Sequence, residues 1–429
     1  MKRKIEEMLM GWKNDPHRKP LILNGARQVG KTYSIMAFGK KNYENVVYIN
    51  LEINKAVAGF FEDDIEPMRI LQFLEAYSGE AIRPGGTLIV LDEIQACERA
   101  LTALKYFCED APAYHVASAG SLLGVAVHRE QFSYPVGKVQ TLTMVPMDFE
   151  EFLMADGQEA LAGMIRESFA RVAPLPEALH RRALDAFRRY LIVGGMPAAV
   201  AAYADGKSLL PVPTIQSGIM NDYLADMAKY ASPAESVKIR ACYESIPAQL
   251  AKENHKFQYK VVKRGGTAAI FGVSIDWLQY AGVIYKCQKT EQGMDPIAVY
   301  TDLSSFKLYM ADTGILTMKS GMAQTTILSG DRNQFLGALT ENYIAQALAA
   351  NGYGLYYWTS GNSAELDFLT EKNGVVTAIE VKSTDNTKSK SLNLFLQRFH
   401  PDRAFKISTK NFGVGENYAA IPLYAAFCL

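Results

Sequence analysis

LILNGARQVGKT (Leu21–Thr32) is a short apolar run that enters a glycine-bearing loop and ends in Gly30-Lys31-Thr32. The uninterrupted apolar start reads as a strand buried on both faces. Gly25 and Gly30 fit G-x-x-x-x-G-K-[ST], with Thr32 in the last place. The residue types follow from the ligand's needs. A polyphosphate asks for many N–H donors at close range, so the sharpest turns of the loop cannot carry a Cβ. A helix from Lys31 to about Lys40 would point its positive dipole end at the same anion. Lys31 brings a point charge for the β- and γ-phosphates, and Thr32 a hydroxyl for Mg²⁺. The expected ATP-contacting run is Gly25, Ala26, Arg27, Gln28, Val29, Gly30, Lys31, Thr32 and Tyr33.

Outward from this loop the chain alternates. Asn45–Leu51 reads as a strand, Pro67–Tyr77 as a helix and Thr87–Leu91 as a buried strand. A helix from about Arg99 to Glu109 and a strand over Tyr114–Ala119 follow. Strands alternating with helices imply a parallel sheet covered on both faces, so the fold class is α/β. Asp92 and Glu93 close the Thr87–Leu91 strand, where ligands bind in such sheets. One carboxylate can hold Mg²⁺ and the second can polarise an attacking water, which assigns Asp92 to metal and Glu93 to catalysis beside Lys31. Ser121, after the next strand, is a candidate γ-phosphate sensor or a helix N-cap. Arg99, Arg129 and Lys138 are the candidates for a charge completing the site, none of them distinguished. Val136–Thr143 alternates like a strand, Met147–Met154 opens a helix, and helical patterning continues to about Tyr230. Gly194-Gly195 breaks it, with Pro197 suited to the next first turn.

GARQVGKT, LIVLDEIQ, AGSLLG, VPMDFEEFL and YLIVGGMPAAV together resemble a family of bacterial and archaeal AAA-type ATPases with a C-terminal domain of unknown function. The resemblance runs along essentially the whole chain. Relatives usually carry Gly-Arg before the strand that follows the sensor; here the pair is Gly137-Lys138, and Lys lacks the planar fork of Arg. The resemblance implies an AAA core over residues 1–155, a helical lid over 156–231 and a winged-helix-like domain over 232–300. Within that middle part, Glu235–Leu250 and about Ser274–Ala281 read as helices and Gly282–Cys287 as a strand. Lys252, Lys256, Lys260, Lys263 and Arg264, with Phe257 and Tyr259 interleaved, are candidate DNA contacts or an ordinary solvated face.

Residues 301–429 carry a second constellation. Glu341–Ala350 reads as a helix, Leu355–Trp358 as a strand, and Ala364–Thr370 and Val375–Ser383 as alternating strands joined at Lys372-Asn373-Gly374. Glu380 and Lys382 are two apart, hence on one face, and the hairpin can bring Asp367 alongside. Asp, Glu-x-Lys and an upstream Glu resemble the arrangement of restriction-endonuclease-like nucleases. The resemblance implies Mg²⁺ held by Glu341, Asp367 and Glu380, and catalysis by Asp367, Glu380 and Lys382. A DNA-acting ATPase with a nuclease-like domain is one expectation. A nucleotide-dependent switch, or a nucleotide-binding scaffold, that binds a protein partner without nuclease activity is the alternative.

Composition bounds these readings. With 45 basic and 45 acidic residues the net charge is zero, which excludes a strongly basic coat but not a local patch. The five cysteines are scattered with no C-x-x-C, so no disulfide framework or zinc cluster is expected. Glu6 and Glu7 interrupt the N-terminal apolar pattern, and Tyr190–Ala204 is too short to span a bilayer. A soluble cytoplasmic protein able to form a homo-oligomer is expected.

Overall fold

The computed structural model describes residues 1–120, 134–253, 255–330, 333–361, 364–383 and 390–429. The chain divides into two compact units, one of Lys2–Val145 with Tyr280–Gly282, the other of Pro146–Gln279 with Val283–Leu429.

The first unit is a parallel five-stranded sheet. Its strands are β1 (Leu21–Asn24), β2 (Asn45–Asn50), β3 (Thr87–Asp92), β4 (His115–Ala119) and β5 (Gln140–Thr143), in the order β2-β3-β4-β1-β5. All four pairings are parallel. Every residue of β3 is buried, as a strand covered on both faces requires. On one side Ile49, Phe61, Leu74, Leu91, Leu101 and Phe107 are among the residues that close a core between the sheet and its helices. The helix expected from Pro67 runs to Ser78. Glu66 caps it, Pro67 sits in its first turn and Gly79 ends it in the left-handed region. β5 is shorter than the alternation of residues 136–143 suggests. Gly137 at φ 73° turns the chain first, and pairing with β1 begins only at Gln140.

The second unit opens with six helices, Phe149–Ala155, Glu159–Arg171, Glu177–Val193, Pro197–Gly206, Val212–Tyr230 and Pro233–Leu250. A capping box starts the first: Glu151 N–H donates to Asp148 Oδ1 at 2.9 Å, while Asp148 N–H donates to the Glu151 carboxylate. The Gly194-Gly195 break is sterically required at its second position. A Cβ on Gly195 would lie 2.0 Å from the Met147 carbonyl oxygen, because Met147 N–H donates to Gly195 O at 2.7 Å. These helices lie in the same compact unit as the sheet that follows them.

That sheet has eight strands in the order β12-β13-β11-β10-β9-β8-β6-β7. They are β6 (Ile284–Thr290), β7 (Thr301–Met310), β8 (Tyr356–Thr359), β9 (Glu365–Lys372), β10 (Val375–Val381), β11 (Arg403–Ser408), β12 (Gly413–Val414) and β13 (Ala419–Pro422). The strand expected near residues 282–287 is thus not a freestanding wing: β6 pairs with β7 on one side and β8 on the other. A boundary at 300/301 would fall between two paired strands of this one sheet. The expected β9–β10 hairpin is present, and Asn373 and Gly374 at φ 54° and 76° form its tight turn. The five cysteines are free, and no helix among the described residues is long and apolar enough to cross a membrane.

Candidate functional site

The Gly25–Gly30 loop connects β1 to the helix Lys31–Asn42. Gly25 takes φ 140°, and a Cβ there would meet the Met144 carbonyl oxygen at 2.1 Å. Gly30, at φ 93°, is the left-handed residue that turns the loop into the helix. Ala26 and Val29 are buried, whereas Arg27, Gln28 and Tyr33 are exposed. Arg3 fastens the loop from behind, its guanidinium donating to Val29 O at 2.8 Å and to Val145 O at 2.7 Å. Nothing in the sequence pattern marks Arg3 for this role. Lys31 is buried, and its Nζ donates to Gly25 O at 2.9 Å and Ala26 O at 2.8 Å. The ammonium thus lies within the loop it would serve.

Strand order carries Asp92 to the same place. Thr32 Oγ1 donates to Asp92 Oδ2 at 3.0 Å, although the two stand far apart in sequence. Tyr48, on the neighbouring strand β2, donates its hydroxyl to the same oxygen at 2.7 Å. Burial, and then the Asp92 carboxylate, push the Tyr48 phenol up to about 12, so it stays a donor. Asp92 Oδ1 accepts the Glu93 N–H at 3.0 Å. Glu93 is a non-glycine residue at φ 50°, which turns the chain sharply out of β3, and Gln95 Nε2 holds its Oε2 at 2.5 Å. A hydroxyl and a carboxylate in contact beside a buried ammonium fit a magnesium–polyphosphate ligand in their chemistry. Tyr48 was not legible beforehand, since an aromatic on a strand is ordinary packing. Arg99 donates to Phe61 O at 3.3 Å, and Lys138 pairs with Glu109 at 2.8 Å. Ser121 and Arg129 lie outside the described residues.

The second constellation lies wholly within the second unit. Glu341, on the helix Gln334–Ala350, is buried. Its Oε1 receives Lys307 Nζ at 2.9 Å and the Tyr309 hydroxyl, and its Oε2 meets His255 Nδ1 at 2.8 Å. Burial alone would raise this carboxyl, but Lys307 and His255 hold it well below its ordinary range. Lys307 is fully buried and also pairs with Glu365 at 2.6 Å. Asp367 Oδ2 accepts the Val381 N–H at 2.7 Å. Burial, with Glu341 adding to it, pushes Asp367 up to about 7. Lys382 pairs with Glu380 Oε1 at 3.0 Å, so the shared face of these two is realised.

Asp367, Glu380 and Glu341 all favour the charged form of Lys382, so the charges of the three expected carboxylates meet at its ammonium. Among the described residues no three His, Cys, Asp or Glu side chains are placed to hold an ion. β9 carries a bulge against β8, while its register with β10 is unshifted. Tyr356 pairs with Leu369 but Trp358 with Leu366, so β9 spends an extra residue between them. Leu366 and Leu369, three apart, consequently pack in one core with Trp358. Asp367 lies within reach of the charges of Glu341, Lys382 and Lys307. Glu380 stands in parallel register with Lys406 on β11, its Oε2 buried without a hydrogen-bond partner.

Beside this cluster a groove of about 1030 Å³ is lined by Lys256, Lys289 and Lys382, by Glu253, Glu365 and Asp367, and by Tyr357. Of the basic run, Lys256 reaches this groove, Lys252 donates to Gln258 Oε1 at 3.0 Å, and Lys260, Lys263 and Arg264 are exposed. Phe257 is not a free aromatic for base stacking: it is buried and stacks on Phe306 at 5.5 Å.

Residues 17–153 match the family described as AAA domain. Residues 184–326 and 336–426 match two families described as domains of unknown function, DUF8612 and DUF4143. Uncharacterized proteins of Mycobacterium bovis and Mycobacterium tuberculosis are each 38% identical over 80 residues, 18% of this chain and 18% of theirs. The chain therefore spans less than a fifth of the length of these relatives. Among solved structures, a Walker-type ATPase of Pyrococcus abyssi is 15% identical with TM-score 0.44, covering 74% of this chain and 95% of that one. The Aeropyrum pernix ORC2 protein is 12% identical with TM-score 0.38, covering 80% and 94%.

Proposed function

We propose that this chain, which carries an AAA domain and a C-terminal domain of unknown function, is a Mg²⁺-dependent ATP hydrolase whose second unit engages DNA. The observation that carries the reading is the contact of Thr32 with Asp92 beside buried Lys31. Thr32 and Asp92 would hold the ion, with Tyr48 fixing the carboxylate. Mg²⁺ would neutralise charge on the β- and γ-phosphates. The loop N–H groups from Gly25 to Thr32 cradle the phosphates, and Lys31 exchanges its carbonyl partners for phosphate oxygens. Glu93 accepts the proton of the attacking water and Gln95 orients it. A charge from a neighbouring copy completes the site, consistent with a homo-oligomer.

In the second unit, the restriction-endonuclease-like reading rests on the β9–β10 hairpin with Asp367, Glu380 and Lys382 and on Glu341 behind it. Lys256, Lys289 and Lys382 line a groove able to take a phosphodiester backbone, and Lys252, Lys260, Lys263 and Arg264 extend the positive surface. A second reading, a nucleotide-dependent switch for a protein partner without cleavage, is favoured by the three carboxylates that share this groove. ATP turnover measured with and without linear, branched and single-stranded DNA, reading strand cleavage in the same tubes, separates the two. DNA-stimulated turnover supports the first. Turnover indifferent to every DNA, with no DNA bound, assigns the unit to a protein partner.

A further inference from the structure

We propose that the Lys307 ammonium is the resident cation of the acidic cluster in the second unit, in the place a divalent metal would take, so that this unit binds its ligand without metal and does not cut it. This rests on the restriction-endonuclease-like reading of the hairpin and of Glu341. Lys307 lies on β7, three strands away from β9 in the sheet order, yet its Nζ reaches acids from two other elements. It is 2.9 Å from Glu341 Oε1 on the helix and 2.6 Å from Glu365 Oε1 on β9. The ring of Tyr357 lies 5.0 Å from the same ammonium, adding a cation–π contact. Direct contact with two carboxylates is what an ammonium buried this deeply requires.

The donor set does not fit a metal. Glu341 has both oxygens engaged, Oε1 by Lys307 and Tyr309 and Oε2 by His255. Asp367 gives one oxygen to the Val381 N–H. Glu380 has Oε1 bound to Lys382 and stands in register with Lys406. A divalent ion wedged against Glu341 and Asp367 would meet an ammonium already bound to Glu341, with doubled charge and little water to screen it. The contacts are filled without it: Lys307 meets Glu341 and Glu365, His255 meets Glu341, and Lys382 meets Glu380. Hydrolysis of a phosphodiester at this hairpin would need the metal-activated water that this arrangement displaces.

The test is titration calorimetry of the full chain with MnCl₂ in the absence of nucleotide, on wild type, Asp367→Asn and Lys307→Met. Weak uptake at Thr32 and Asp92 is identified by its loss in Asp92→Asn. The expected result is that Asp367→Asn leaves wild-type Mn²⁺ uptake unchanged. Lys307→Met should gain a site at least tenfold tighter than any wild-type uptake, lost again in Lys307→Met/Asp367→Asn. Wild-type Mn²⁺ binding that Asp367→Asn weakens tenfold or more overturns the proposal. If Lys307→Met fails to fold, wild type against Asp367→Asn decides alone. DNA binding in excess EDTA, measured in parallel, separates the two readings. Affinity unchanged by EDTA supports the resident ammonium, and DNA affinity lost on chelation overturns it. Failure to bind any DNA removes the DNA reading while the Mn²⁺ result still decides the cation.

Discussion

Gly25→Ala should cost the first unit several kcal/mol and its ligand together. The residue sits at φ 140°, a region open in practice to glycine, and a forced alanine there costs about 1–3 kcal/mol. Its Cβ would stand 2.1 Å from Met144 O, about 1 Å inside ordinary contact. Relief requires Met144 to recede from β1, which gives up the Met144 N–H to Asn24 O bond of 2.8 Å. That bond is worth about 0.5–1.5 kcal/mol net. The sum is about 1.5–4.5 kcal/mol, or a melting shift of about 4–14 °C for a unit of this size. Scanning calorimetry of the full chain reads it, taking the transition that ATP moves upward as that of the first unit. ATP affinity should fall in parallel, since the loop N–H groups move with Gly25. Gly11→Ala is the control: it lies in the helix Ile5–Asn14 with open space around its Cβ, and should be neutral or slightly stabilising. A Gly25→Ala transition and ATP affinity both within error of wild type would refute the close-approach reasoning.

Other outcomes follow from the same geometry. Tyr48→Phe removes the 2.7 Å donor to Asp92 Oδ2, and the Mg²⁺ needed for half-maximal turnover should rise about tenfold; an unchanged Mg²⁺ requirement makes Tyr48 merely structural. Asp312 is buried, accepts Gly195 N–H at 2.6 Å and Ile315 N–H at 2.9 Å, and burial pushes it up to about 6. Its folded form binds the proton more tightly than the unfolded chain, so it adds stability below about pH 4 that is lost as pH rises to about 6, in total about 3 kcal/mol. Urea midpoints of Asp312→Asn against wild type should therefore differ in slope across that window, and a constant difference at every pH rejects the assignment. If the exposed Lys260, Lys263 and Arg264 all contact duplex phosphates, their triple alanine variant should flatten the slope of log affinity against log salt by about 2.7. An unchanged slope places binding elsewhere.

How much of this was legible follows from the kind of signal each residue gives. The loop, β3 and Asp92-Glu93 were readable because local chemistry dictates them: a glycine where no Cβ fits, an apolar strand buried on both faces, acids at its end. The β9–β10 hairpin was readable from Lys372-Asn373-Gly374, since Asn and Gly tolerate the two positive φ values a tight turn needs. Tyr48 and Arg3 were not, because their roles arise only once strand order sets β2 beside β3 and the N-terminus behind the loop. Lys307 left one trace, a lysine inside the apolar run Phe306–Met310. Its carboxylate partners come from a helix and another strand, which no spacing reveals. The bulge in β9 was invisible for a related reason. Strict alternation would put Leu366 and Leu369 on opposite faces, and one extra residue sets both against the same core.

The central claim is hydrolysis at the Lys31, Thr32, Asp92 and Glu93 site. Its most direct test is steady-state ATP turnover with Mg²⁺ for wild type and Glu93→Gln, alongside equilibrium ATP binding to both. Glu93→Gln should lower turnover about 10²–10⁴-fold with ATP affinity held within a few-fold. Turnover of Glu93→Gln equal to wild type, with ATP still bound, would contradict it.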